Sequence, residues 1–511
     1  HFDLGNKTLE YTNMTKGHRF LAPQSFEVTS FLDYEEKLKE SYVIIDREKR
    51  KSIIIEQATT LTTGTETQLQ SDPLLLEEVC GLVEWPNSLI GNIQDEFMTL
   101  PAEALVCAMR SHQKYFAVTD HLGNLAPSFI TVSNMPSNDK RDQTIMTGNE
   151  KVLSARLSDA KFFWDQDRKV TLESRVPALS NVTFYEKLGS LGEKMLRVEQ
   201  LSIYLSDWVP DADTKFVRRA AKLAKADLTT AMVGEFPELQ GIMGSYYAME
   251  DGEDAEISVA IREHYRPQGP SDNSPTSATS VTLSLADKLD TLVGFFAIDE
   301  KPTGSKDPFA LRRYALGVIR LIIENSLKLP LSTVISKALS LYPKFENDNG
   351  LIDFITERLK VYLRSEGIRN DRVLAVFSNS GEDDLNRLIK RIKALDIFLS
   401  TRDGINLLTA YRRAANIVAI ESKKDGTTFD VAPDKKLFQI EREKHLSDAL
   451  ANTSSSLTNF IEDEEFDKAM DALAALRASV DSYFEHVTVN DNNPKLRENR
   501  LRSLKLIVET M

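Results

Sequence analysis

After Leu172 the alternation that marks a half-buried strand all but disappears, and apolar residues recur every three or four positions through the rest of the chain. A chain patterned this way must be built mainly from packed helices. The stretch from Ser280 to Ile323 shows the pattern most clearly. Leu283, Leu285, Leu289, Leu292 and Val293 commit one face of an amphipathic helix to a core, with Asp287 and Asp290 three apart on another face. A loop with Pro302 and Gly304 follows. A second helix is expected to open with Asp307 as its cap and Pro308 as its first residue, because proline lacks the N–H that a helix start leaves unpaired. Its buried stripe is Leu311, Tyr314, Ala315, Val318, Ile319 and Ile322, and Arg312, Arg313 and Arg320 fall outside that stripe.

Ahead of Leu172 the patterns mix. Asp72 and Pro73 start a helix with Leu75, Leu76, Val79, Leu82 and Val83 inward, which Trp85-Pro86 ends. Pro101 starts another, through Met109. The run KYFAVTDHLGNLAPSFITVSN reads as a hairpin turning at Asp120 to Asn124. From Asn149 to Lys169 a helix places Val152, Leu153, Leu157, Ala160, Phe163 and Trp164 at core spacing, with Arg156 and Asp159 able to pair across a turn. The opening residues, HFDLGNKTLEYTNMTKGHRF, read as strand material already under way, which suggests an N-terminally truncated chain.

At 511 residues several domains are expected. Four are read: an α+β region over 1–175, a helical domain over 176–345, a helical linker over 346–400 and a helical C-terminal domain over 401–511. The two cysteines, Cys80 and Cys107, sit inside apolar patterns and suit a reducing compartment as small core residues; their spacing builds no zinc site. No apolar run reaches membrane length and no signal pattern is visible, so a cytoplasmic location is expected. A formal net charge of -14 argues against a protein that coats nucleic acid through its overall field, so any RNA contact must be local.

Local basic clusters exist. Lys215, Arg218, Arg219, Lys222 and Lys225 recur at helical spacing, and Arg412-Arg413 and Lys390, Arg391 and Lys393 are smaller versions. Such stripes are usually solvated faces. In TKGHRF, at Thr15 to Phe20, a surface turn is the ordinary reading and Arg19 the residue of interest. The C-terminal pattern continues through Phe466, Met470, Leu473, Leu476, Val480, Tyr483 and Phe484. Pro494 then restarts the chain as a last helix with Lys495, Arg497, Arg500, Arg502 and Lys505.

The pair ADKLDTLVGFFA and GSKDPFALRRYALGVIRL, in that order, resembles the beta subunit of the bacterial two-subunit glycyl-tRNA synthetase. The segments SHQKYF and NEKVLSARLSDAKFFW and the ending DSYF to NRL are similar to the same family, so the resemblance covers nearly the whole chain. It implies a mainly α, multi-domain protein with an α+β N-terminal part, a degenerate HD-like helical domain and a C-terminal helical anticodon-binding domain. In HD hydrolases a His-Asp pair and a later aspartate hold a metal. The pair position here reads Ala226-Asp227 and the late aspartate is Asp287, so the histidine is missing and neither metal nor hydrolysis is expected.

What the resemblance implies for function is tRNA-Gly binding, by a chain with no catalytic residue, no metal and no cofactor of its own. A separate alpha subunit uses ATP to activate glycine, within an alpha2beta2 assembly. No class I signature and no phosphate-cradling glycine loop is present. Candidate tRNA contacts are Arg19, Arg218, Arg219, Lys222, Arg312, Arg313, Arg412, Arg413, Arg497 and Arg500. The competing readings are an HD-type metal-dependent phosphohydrolase, dependent on Asp227, and a helical RNA-binding scaffold without a synthetase partner.

Overall fold

In a computed structural model, all residues are described except His1, Leu4, Asn6, Lys7, Glu10, Tyr11, Glu346 and 378–381. The strand reading of the opening is met where the chain is described, by two short antiparallel ladders, Phe2–Asp3 with Thr8–Leu9 and Met14–Lys16 with Ser25–Glu27. The remaining part of that reading falls on residues outside the described ones. The chain divides into two compact units, one of residues 1–199 and 214–265, the other of 200–213 and 266–511. The division cuts through the span 176–345 that the sequence reads as one domain.

The first unit is built around a four-stranded antiparallel sheet. Its strands are β1 (Thr67–Leu69), β2 (Asn87–Asn92), β3 (Phe116–Asp120) and β4 (Leu125–Ser133), in the order β1-β3-β4-β2. The expected hairpin is β3–β4. Asp120 holds its turn together, its carboxylate accepting from the backbone N–H of Leu122 and Asn124. Phe116, Val118, Ala126 and Ile130 share a core with Ile54 and Ala58 of the helix Arg47–Thr62 and with Leu75, Val79 and Cys80 of the helix Pro73–Leu82. Asp72 caps the latter helix as read, Oδ1 accepting from Leu75 N at 2.9 Å, but Leu82 turns out to be exposed.

Helix α1 (Asp139–Asp167) packs against β2 and starts ten residues before the sequence boundary at Asn149. It approaches so closely that a Cβ on Gly91 would collide with the Met146 side chain of the helix. Leu153, Leu157, Ala160 and Trp164 are its buried stripe; Val152, expected inside, is exposed. Arg156 and Asp159 are both exposed, and no ion pair between them occurs among the described residues. The first unit also holds α2 (Thr214–Leu223), which packs against the helix Ala255–Glu263, itself against Ile242–Glu250.

The second unit is helical. Its centre is α3 (Ala278–Ala297), in contact with α4 (Leu311–Glu324), Leu331–Ser340 and Leu351–Ser365. Sequence periodicity gives α3 one buried face, yet every residue from Thr279 to Phe296 is buried, including Asp287, Lys288 and Asp290. Neighbours pack on all sides, and polar residues are tolerated there because they are hydrogen-bonded: Lys288 Nζ donates to the Arg266 carbonyl at 2.9 Å and to Ser284 Oγ at 3.0 Å. The start of α4 is also corrected. Pro308 does not begin the helix; Leu311 does, after Ala310 at φ 55°. Asp307 still caps it, reaching forward to Leu311 N and Arg312 N at 2.8 and 3.0 Å, while Phe309 stacks on Phe295.

The C-terminal end of this unit is formed by α5 (Leu385–Ser400), α6 (Arg402–Asp425), α7 (Glu441–Glu462), the short helices Phe466–Ala475 and Arg477–His486, and α8 (Pro494–Thr510). One core joins them through Leu407, Ala414, Leu446, Leu450, Leu476, Val480, Tyr483, Leu504 and Ile507. Full burial of each such leucine or valine contributes about 1.5–3 kcal/mol. The stripe Phe466 to Phe484 and the restart at Pro494 are as the sequence reads them.

Candidate nucleic-acid interface

Each candidate cation was placed by the element that carries it. On α2, Val217, Ala220, Ala221 and Leu223 are buried and the basic residues therefore face away from the core. They border a cavity of about 520 Å³ lined by Glu199, Thr214, Lys215, Arg218, Arg219 and Lys222. Arg218 is exposed. Arg219 is forked onto Glu253, at 3.1 and 3.0 Å from Nε, and also pairs with Glu173 at 3.0 Å. Lys222 joins the same Glu173, whose carboxyl these two cations hold down at about 2. The charges of Arg219 and Lys222 are thus cancelled locally.

Lys225 leaves the stripe altogether. The helix ends at Leu223, and Lys225 is buried with Nζ 3.0 Å from His264 Nε2 and 4.0 Å from the Tyr265 ring centroid. His264 donates from Nδ1 to the Ile261 carbonyl at 2.7 Å, which leaves Nε2 as acceptor for the ammonium. Two residues on, Asp227 is fully buried. Its Oδ2 accepts from Gly241 N and Gly244 N, at 2.5 and 3.0 Å, across the start of the helix Ile242–Glu250. Asp227 is therefore a working helix cap rather than a bare remnant of a lost site. Burial pushes its carboxyl up to about 6 against these bonds and the nearby Lys225 charge. Ala226 is buried and offers no ligand atom, and Asp287 is buried on α3.

In TKGHRF the histidine is structural. His18 is buried, Nε2 donating to the Asn134 carbonyl at 3.0 Å while Nδ1 accepts from Phe20 N and Leu21 N. Arg19 and Phe20 are left exposed on the turn, the guanidinium 5.5 Å from the Phe20 ring. On α4, Arg312 is half-buried and donates to the Gly304 carbonyl at 2.7 Å, bracing the loop; Arg313 is exposed.

The last helix requires the largest correction. Arg500 is 4 % exposed and forms a buried pair with Glu443, 2 % exposed, at 2.9 Å; it also binds Asp491 at 2.7 Å and the Thr488 carbonyl at 2.8 Å. It cannot reach a phosphate without dismantling that network. Arg497 is taken up by Glu421 and by Asp425 at 2.5 Å, Arg502 pairs with Glu498 and Lys505 with Asp430. Four of the five basic residues of α8 are thus engaged in ion pairs, and Lys495 is exposed. Arg412 and Arg413 on α6 are both exposed, Arg413 with its guanidinium 4.4 Å from the Phe484 ring centroid.

Comparison with known proteins joins these pieces. The family model described as glycyl-tRNA synthetase beta subunit matches residues 2–378, and that described as DALR anticodon binding domain matches residues 407–511. The chain belongs to the glycyl-tRNA synthetase beta subunit family. Among its curated relatives, the glycine–tRNA ligase beta subunit of Rhodospirillum centenum is 48% identical over 512 residues, covering 99% of this chain and 71% of the relative. That of Phenylobacterium zucineum is 48% identical over 98% of this chain and 73% of the relative, and that of Paracoccus denitrificans 44% identical over 97% and 72%. For this glycyl-tRNA synthetase beta subunit family member the expected helical architecture and C-terminal anticodon-binding domain hold. Among the described residues no helix is long and apolar enough to cross a membrane, and no three His, Cys, Asp or Glu side chains are grouped to hold a metal ion.

Proposed function

We propose that the chain acts as the beta subunit of a cytoplasmic glycine–tRNA ligase, capturing tRNA-Gly and presenting its acceptor end to an alpha subunit that forms glycyl-adenylate from ATP. The reading is carried by one observation: the beta-subunit family and the anticodon-binding domain follow one another over almost the entire length. In this scheme the chain binds no cofactor and performs no bond-making step. Its contribution to rate is positional, since holding a reacting group beside its target replaces an encounter between separate molecules. An alpha2beta2 assembly is part of the proposal. The exposed arginines Arg19, Arg218, Arg313, Arg412 and Arg413 are the residues we assign to RNA contact. Hydrolysis on a bound metal is disfavoured because Ala226 stands where the His-Asp pair needs its imidazole ligand.

The test is aminoacylation of tRNA-Gly by a purified alpha subunit with and without this chain, together with sedimentation of the mixture. Charging that rises on addition and a single species of alpha and beta support the proposal. Charging that is the same with and without the chain overturns it.

A further inference from the structure

The acidic residues of α6 lead to a more specific assignment. The helix carries three carboxylates, Asp403, Glu421 and Asp425, and five cations, Arg402, Arg412, Arg413, Lys423 and Lys424. All three carboxylates are paired with arginines of other helices: Asp403 with Arg477, and Glu421 and Asp425 with the shared Arg497. Of the cations, Arg413 rests on Phe484, Lys424 lies 3.8 Å from Glu421, and all five are exposed.

The side of α6 facing away from Leu407, Ala410 and Ala414 reads Arg402, Ile405, Thr409, Arg412, Asn416, Ile420 and Lys423, spaced three or four apart. These positions form one stripe about 32 Å long at helical rise. It contains no carboxylate, in a chain with 77 acidic against 63 basic side chains. A merely solvated face mixes both signs. This one instead separates its cations with hydroxyl, amide and aliphatic groups, Ile405 and Ile420 being 54% and 64% exposed.

We propose that this stripe is the surface on which the C-terminal domain docks the sugar-phosphate backbone of an RNA stem, and that Arg477 and Arg497 keep it positive by holding α6's own carboxylates in ion pairs. The inference rests on the tRNA-binding reading above and identifies its contact face. Charge complementarity selects the occupant: a row of cations without competing anions suits regularly spaced phosphates, and the aliphatic and amide groups between them suit the ribose edge. Arg412 contacts the RNA directly, whereas Arg497 acts through Glu421 and Asp425.

The experiment is binding of end-labelled tRNA-Gly transcript to the full chain by fluorescence anisotropy across a salt series. Arg402→Gln with Arg412→Gln is expected to weaken binding about tenfold or more and to reduce the log–log salt slope by about two; both sites are exposed, so the thermal midpoint should not move. Lys39→Gln, an exposed change elsewhere, should alter neither. Arg497→Gln is expected to weaken binding at a temperature where its circular dichroism and thermal midpoint show it folded, and adding Glu421→Gln and Asp425→Asn to restore affinity; a purely structural role would instead make affinity follow the folded fraction. If wild type binds and the double variant matches it in affinity and slope, the docking face is wrong. If affinity lost in Arg497→Gln is not regained, the neutralising role is wrong. Wild-type chain that binds no tRNA at low salt would instead remove the underlying functional reading, and this proposal with it.

Discussion

Arg500 and Asp227 show how a side chain's surroundings decide its work. Removing the guanidinium of Arg500 strands the buried Glu443 carboxylate, and breaking a buried pair of this kind costs about 3–5 kcal/mol. Arg500→Ala is therefore expected to destabilise the C-terminal domain by that amount in urea unfolding, and any loss of tRNA affinity should track the unfolded fraction. Asp227 behaves in the opposite way to a salt-bridged carboxylate. Burial raises its folded pKa to about 6 from the ordinary 3.8, so the folded state binds the proton more tightly than the unfolded state does. Its contribution is fully present below about pH 4 and is lost as pH rises through about 6. Asp227→Asn should flatten stability against pH across that window, measured by thermal unfolding at a series of pH values; an unchanged profile would assign the dependence elsewhere.

At the scale of elements, the junction of α5 and α6 controls the outward stripe. Thr401 caps α6, Oγ1 accepting from Gly404 N at 3.0 Å, and Gly404 lies directly against the Phe398 carbonyl. A Cβ at 404 would penetrate that carbonyl, and backbone cannot yield as a flexible side chain can. Gly404→Ala should cost about 1–3 kcal/mol through the forced backbone shift. It should also weaken tRNA binding without changing any charge, so the salt slope should stay as in wild type. The same junction illustrates what sequence can convey. Helical spacing located α6 and α8, but it could not tell that Arg497 points at α6 carboxylates and Arg500 at Glu443 of α7, because a basic residue in a helical pattern looks the same whether it meets solvent or a carboxylate. Likewise α3 reads as one-sided because periodicity records one face; burial on all sides depends on neighbours distant in sequence. The start of α4 was displaced for a local reason, Asp307 capping from four residues away.

For the molecule as a whole, most of the architecture was legible. The change from mixed to helical pattern after Leu172 separates the part with the four-stranded sheet from a remainder that, among the described residues, is helical apart from the short ladder of Thr183–Tyr185 with Gly189–Ser190, and the motif pairs resembling the beta subunit led to the family that the comparisons show. The candidate contacts were less legible. Arg402 precedes an aspartate and Lys423 lies between Glu421 and Asp425, so neither stands out in sequence; they become part of a surface only because Asp403, Glu421 and Asp425 are paired with arginines of other helices. A net charge of -14 is thus compatible with binding a polyanion, because charge is sorted within the C-terminal domain rather than averaged over it.

The shared grip of Arg497 on Glu421 and Asp425 has an evolutionary consequence. Losing the arginine alone would expose two carboxylates together, whereas losing one carboxylate would leave the other still paired. Positions 421, 425 and 497 should therefore drift as a group among homologues, with a neutral residue at 497 tolerated chiefly where both acids have already gone.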